Sequence, residues 1–177
     1  MKDNKEYYSC WYNKLQLFLF FLAFITFGIG DTISSINLIE QKGIIAEGNI
    51  LVRLIILNYG ISNFIAIKIS ITILLLFLPF LIIDKTVYWM ISGYLISFII
   101  AGTLGTVLNM QAASNGVPFL SPEQAIAIFM ISVLILTNIG DEIDKKATLK
   151  IRSYTYCILR DMAILLTYIL NNFKNNK

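Results

Sequence analysis

Residues 15–39 read LQLFLFFLAFITFGIGDTISSINLI, a run whose only formal charge is Asp31. A helix needs about 20 mostly apolar residues to cross a bilayer, and this run exceeds that length. Lys2, Lys5 and Lys14 precede it, and no small-residue cleavage site follows its apolar core. It therefore reads as a retained anchor rather than a removed signal peptide. Three more runs of the same kind follow at 62–83, 87–108 and 122–139. Ser62 is placed to cap the second and Pro79 to loosen its end, while Ser121-Pro122-Glu123 makes a favourable start for the fourth.

Composition agrees with these runs. Of 177 residues, 57% are hydrophobic and only 14% charged, against about 45–50% and 25% in soluble domains. Mean hydropathy is +0.73. Disorder is excluded, because so much apolar surface cannot remain in water. Several chemistries fall with the residue inventory. There is no histidine, which removes His general bases, His-ligated zinc and Ser-His or Cys-His pairs. Cys10 and Cys157 are far apart and form no CxxC; both fall on the side assigned to the cytoplasm, where thiols stay reduced. A net charge of +3 without a basic, aromatic-interleaved patch excludes a nucleic-acid partner. Neither a Walker loop nor a Rossmann fingerprint occurs, and no cofactor or metal is expected.

The distribution of Lys and Arg sets an orientation. With four spans the termini share one side, which collects Lys2, Lys5, Lys14, Lys85, Lys145, Lys146, Lys150, Arg152, Arg160, Lys174 and Lys177. The opposite side holds Lys42 and Arg53. Both termini are expected in the cytoplasm of a cell-membrane protein. Two segments lie outside the four runs. Residues 49–59 (NILVRLIILNY) are apolar but half the spanning length, which predicts a short outer half-helix. From 144 to 173 apolar residues such as Ile151, Ile158, Leu165, Ile169 and Phe173 recur at helical spacing among charges, which predicts an amphipathic cytoplasmic helix. A fifth span is the alternative for that tail. The fold class is thus all-α: a polytopic membrane helix bundle forming one domain over 1–177, with the bilayer as its first partner.

Asp31 and Lys68 should not be in a bilayer unpartnered. Each sits roughly 9–12 Å below the outer interface, on antiparallel neighbouring helices. An unpaired ion there costs several kcal/mol, so the two are expected to pair or to meet water. Ser34, Ser35 and Thr72 fall within one helical turn of them. Glu47, Asn49 and Asn109 collect at the same level, which predicts an outer polar cavity lined by Asp31, Glu47, Asn49, Lys68 and Asn109. The alternative is a structural ion pair that sets helix register. On the third run Gly93, Ser97, Ala101 and Gly105 recur every four residues, a ridge suited to close helix packing. Packing within the monomer is the expectation, and a dimer seam the alternative.

Gly28-Ile29-Gly30-Asp31 spells GxGD and so resembles the motif around one catalytic aspartate of presenilin-like and prepilin-peptidase-like intramembrane proteases. That chemistry requires a second carboxylate close enough to share a proton. The candidates, Asp84 and Asp141, fall at the inner face, about 15–20 Å away in depth. A second resemblance runs through Gly30-Asp31-Thr32, Glu47-Gly48-Asn49 and Lys68. It is similar to a GD(T/S)…E-x-N…K pattern in uncharacterised prokaryotic families of small multi-pass membrane proteins, where E-x-N-P-L is frequent; Ile50 stands here in the proline's place. This resemblance implies a shared polar site and supplies no reaction. The expected function is binding or transport of an ion or small polar solute. The alternatives are an accessory subunit with a homo-oligomeric or membrane-protein partner, and an intramembrane aspartyl-type or metal-dependent enzyme.

Overall fold

The computed structural model describes residues 14–81, 87–114 and 116–146. Among them the regular structure is helical throughout, in four long helices. These are α1 (Lys14–Lys42), α2 (Ile50–Leu81), α3 (Tyr88–Ala113) and α4 (Pro122–Lys146), each long and apolar enough to cross a membrane. Helix α1 contains a wider π segment at Phe24–Gly30, and a short 3-10 turn at Ile44–Ala46 joins α1 to α2.

Local chemistry sets where the helices stop and start. Gly43 ends α1 with a φ of +82°, a region glycine enters without steric cost, and its N–H donates to Ile39 O at 2.8 Å. Asn49 starts α2 by accepting the Leu51 N–H on its side chain at 3.0 Å. At the start of α4, Ser121 N–H donates to Gln124 Oε1 while Gln124 N–H donates to Ser121 Oγ, a reciprocal capping box. The first turn of α3 is capped from elsewhere. Asp144, near the end of α4, accepts the backbone N–H groups of Trp89 and Met90, both at 3.0 Å.

The spans differ from the sequence expectation at their ends. The first runs over Lys14–Lys42 rather than 15–39, and the third over Tyr88–Ala113 rather than 87–108. The run expected at 62–83 is joined within α2 to residues 50–59, which are helical too. Gly60, at φ +80° and ψ 169°, breaks the ladder between the two parts. The Asn63 amide donates to the Tyr59 carbonyl at 2.7 Å across that break. Pro79 falls in a closing 3-10 turn, Leu78–Leu81. The fourth helix continues past 139 to Lys146, its last turns carrying the Asp141–Lys145 and Glu142–Lys146 pairs four residues apart. Asp84, Lys85, Cys10, Cys157 and the tail beyond 146, with its expected amphipathic helix, lie outside the described residues.

Helix α3 is central. Ile91, Leu95 and Phe98 are buried with Ala23 of α1 and Leu76 and Phe80 of α2. Phe98 meets Phe27 edge-on at 5.0 Å and Phe129 of α4 at 5.1 Å, the geometry aromatic quadrupoles prefer. Glycines allow the helices to approach this closely. A Cβ at Gly93 would overlap the Leu136 carbonyl, one at Gly140 the Trp89 carbonyl, and one at Gly102 the α1 backbone at Thr26–Phe27. Since backbone cannot yield as a flexible side chain does, Gly140→Ala should lower stability by about 1–3 kcal/mol. Thermal unfolding of the detergent-purified chain measures this; Met130→Ala, on the exposed face of α4, should leave the transition within about 0.5 kcal/mol of wild type.

Candidate functional site

The site begins with the π segment of α1. Its i→i+5 pattern is visible where the Asp31 N–H donates to Thr26 O. Widening the helix by one residue changes the phase of every later position, and Asp31 is the next residue. The glycines of the GxGD stretch let neighbours come close: a Cβ at Gly28 would lie 3.2 Å from the Thr72 methyl of α2, and one at Gly30 would lie 3.2 Å from the Thr106 hydroxyl of α3. Hydroxyls tie the surrounding carbonyls, Thr26 donating to Leu22 O at 2.9 Å and Thr32 to Gly28 O.

Asp31 is thereby aimed at both neighbouring helices. Its Oδ2 accepts from Lys68 Nζ at 2.6 Å, with side-chain exposures of 18% and 16%. Its Oδ1 lies 3.4 Å from Asn109 Nδ2, and that same nitrogen lies 3.1 Å from Ser34 Oγ and 3.0 Å from Ser35 Oγ. Three oxygens from one face of α1 therefore converge on a single amide nitrogen from α3. Lys68 Nζ also lies 5.5 Å from the centroid of the Phe64 ring, one turn earlier on α2, within cation–π range. Ser34, Ser35, Thr72 and Phe64 are all buried.

Of the sequence candidates, the structure brings together Asp31, Lys68 and Asn109, with Ser34 and Ser35. Glu47 and Asn49 belong to the α1–α2 connection, where the Asn49 N–H donates to Glu47 Oε1 at 2.9 Å. Among the described residues, no hydrogen bond or ion pair links Glu47 or Asn49 to Asp31, Lys68 or Asn109. Glu47 is buried, and its Oε2, like Arg53 Nε, is enclosed without a hydrogen-bond partner among the described residues. Gly48 between them leans on Pro122 at the start of α4, where a Cβ would fall 2.5 Å from the proline ring.

The small-residue ridge on α3 divides between jobs. Gly93 opens toward the α4 backbone, and Ser97 is fully buried and bonded to its own helix at Gly93 O. Ala101 is partly buried. Gly105 faces a side chain instead of backbone. Its missing Cβ leaves the space occupied by the Asp31 carboxylate. The residue that admits the α1 backbone is Gly102, one position off the ridge. Phe64, Gly102 and Asp144 escaped the sequence reading, though Phe64 at i−4 from Lys68 was the one legible from spacing.

Among the described residues, two chemistries lack the geometry they need. Gly140, beside Asp141, packs at Trp89, whereas Asp31 packs at Gly105; that length of α3 is about 24 Å. At that separation Asp141 and Asp31 cannot share a proton, and Asp141 is paired with Lys145 at 2.6 Å instead. Among the described residues, no three His, Cys, Asp or Glu side chains converge.

The Gly105 notch makes a separable prediction. Gly105→Ala should destabilise the chain by about 1–3 kcal/mol by driving its methyl into the Asp31 carboxylate. In an Asp31→Ala background most of that cost should vanish, giving a coupling of at least about 1 kcal/mol in a double-mutant cycle of thermal stability. Equal cost in both backgrounds would mean that Gly105 serves helix approach instead.

Compared with protein-family models, with curated proteins and with solved structures, the chain matches none.

Proposed function

We propose that this chain is a multi-pass membrane protein whose polar site, in the outer half of the bundle, binds an ion or small polar solute for passage or sensing. The observation that carries the reading is the 2.6 Å Lys68–Asp31 pair within helices otherwise built for lipid. Burying two charges costs several kcal/mol per ion, which good geometry only partly offsets, so a pair of apolar residues would stabilise the bundle as well or better. Ionisable groups at membrane depth mark substrate pathways far more often than their abundance suggests. The basic residues put both termini in the cytoplasm, and the Asp31 level then faces outward. The stretch 50–59, set off by Gly60, lies along the outer interface as a half-helix. Glu47 and Asn49 form the rim by which a solute approaches.

A second reading, an accessory subunit held by a second copy or another membrane protein, draws on α4. Only 6% of its most apolar eighteen-residue stretch is buried within the chain, and Ile126, Met130, Leu134 and Ile135 are exposed along it. Lipid covers such a face equally well, so this reading ranks second. An enzyme ranks last, since no second carboxylate lies beside Asp31 among the described residues.

Water access tests the first reading. With Cys10 and Cys157 replaced by serine, Asn109→Cys in intact cells should react with a membrane-impermeant maleimide added from outside. An exposed position within about 3 Å of that depth, such as Val107→Cys, should not react. Labelling of Asn109→Cys only after detergent solubilisation would leave Asp31 and Lys68 as a sealed structural pair.

A further inference from the structure

The convergence of oxygens on Asn109 says more about the ligand than the ion pair alone. A nitrogen held by Asp31 Oδ1, Ser34 Oγ and Ser35 Oγ at 3.4, 3.1 and 3.0 Å occupies the surroundings an ammonium group requires: three acceptors, one of them charged. Beside it Lys68 carries three N–H donors, of which the carboxylate takes one at 2.6 Å. The site therefore holds an acceptor set and a donor set side by side, the acceptors occupied by the Asn109 amide and the Lys68 ammonium by Asp31 Oδ2.

We propose that this site takes a small zwitterion, an amino-acid-like solute with an ammonium and a carboxylate a few bonds apart, an assignment that rests on the site being a binding site. The ammonium would replace the Asn109 nitrogen among the three oxygens, and the carboxylate would receive Lys68. Among charged solutes, charge balance selects this class. The Asp31–Lys68 pair is neutral as it stands. A lone cation on Asp31 strands the Lys68 charge, and a lone anion on Lys68 strands that of Asp31; either leaves an uncompensated ion in a medium of low dielectric. A zwitterion exchanges one internal pair for two intermolecular pairs and leaves none. Asn109 suits the exchange, because an amide rotated about its last bond offers an acceptor where it had offered donors. Phe64, buried at 5.5 Å from Lys68 Nζ, stabilises the ammonium while it changes partners.

Thermal unfolding of the full chain in detergent, with glycine or β-alanine against methylammonium chloride and sodium acetate, tests this. One of the two zwitterions should raise the transition by about 5 °C at a hundredfold excess over its Kd. Methylammonium and acetate, alone or together at equal concentration, should not. Ser35→Ala, which removes one acceptor and keeps both charges, should weaken the effect several-fold, and the neutral double variant Asp31→Asn/Lys68→Met should abolish it. An equal shift with methylammonium alone, lost in Asp31→Asn, would overturn the zwitterion and leave a cation site. No shift with either zwitterion, while Asn109→Cys is labelled from outside, would overturn the ligand class but not the water-accessible site. No shift together with a sealed Asn109 would overturn both.

Discussion

A carboxylate and an ammonium 2.6 Å apart inside apolar helices impose the constraint from which the rest of this bundle can be understood. In such apolar surroundings neither charge tolerates the loss of the other, so α1 and α2 must hold their relative depth and rotation to keep them joined. Several features that look unrelated serve that demand. The π segment re-phases α1 just before Asp31. Gly105 gives up its side chain so that the carboxylate fits against α3. Asn109 then ties α3 to Asp31 and the two serines of α1. A straight, regular α1 would carry Asp31 round to a different face.

Close backbone approach supplies the complementary constraint. Helices this apolar would feel little hydrophobic force between them in a bilayer, where association rests on packing and interhelical hydrogen bonds. Here the crossings of α3 with α4 occur at Gly93 and Gly140, and its crossing with α1 at Gly102. Between them lies the aromatic cluster of Phe27, Phe98 and Phe129. The result is an asymmetric arrangement: α3 is gripped on several sides, while α4 contributes little more than the strip that meets it.

Much of this was legible in the sequence because hydropathy and length report directly on helices of this kind. The four runs were visible, and equal depth on adjacent antiparallel segments pointed from Asp31 to Lys68. What escaped was whatever depends on phase or on partners remote in sequence. Apolar runs read alike whether a helix is regular or widened, so the π segment left no mark on hydropathy. Asp144 looked like the start of an amphipathic tail, and nothing near it in sequence announces Trp89 and Met90. The ridge of Gly93, Ser97, Ala101 and Gly105 was visible as a pattern, but spacing alone cannot say that one glycine meets backbone and another a carboxylate. Glu47 and Asn49 were grouped with the buried pair by level, whereas hydrogen bonding places them with the connection before α2.

The cap that Asp144 places on α3 bears on how the chain is made. Synthesis delivers α3 some thirty residues before the acidic group that completes its first turn emerges from the ribosome. Until then the leading amides of α3 have no Asp144 to receive them. The last described segment to be translated therefore acts as a clasp on the one before it, and the first turn of α3 gains its Asp144 cap only once the end of α4 is in place.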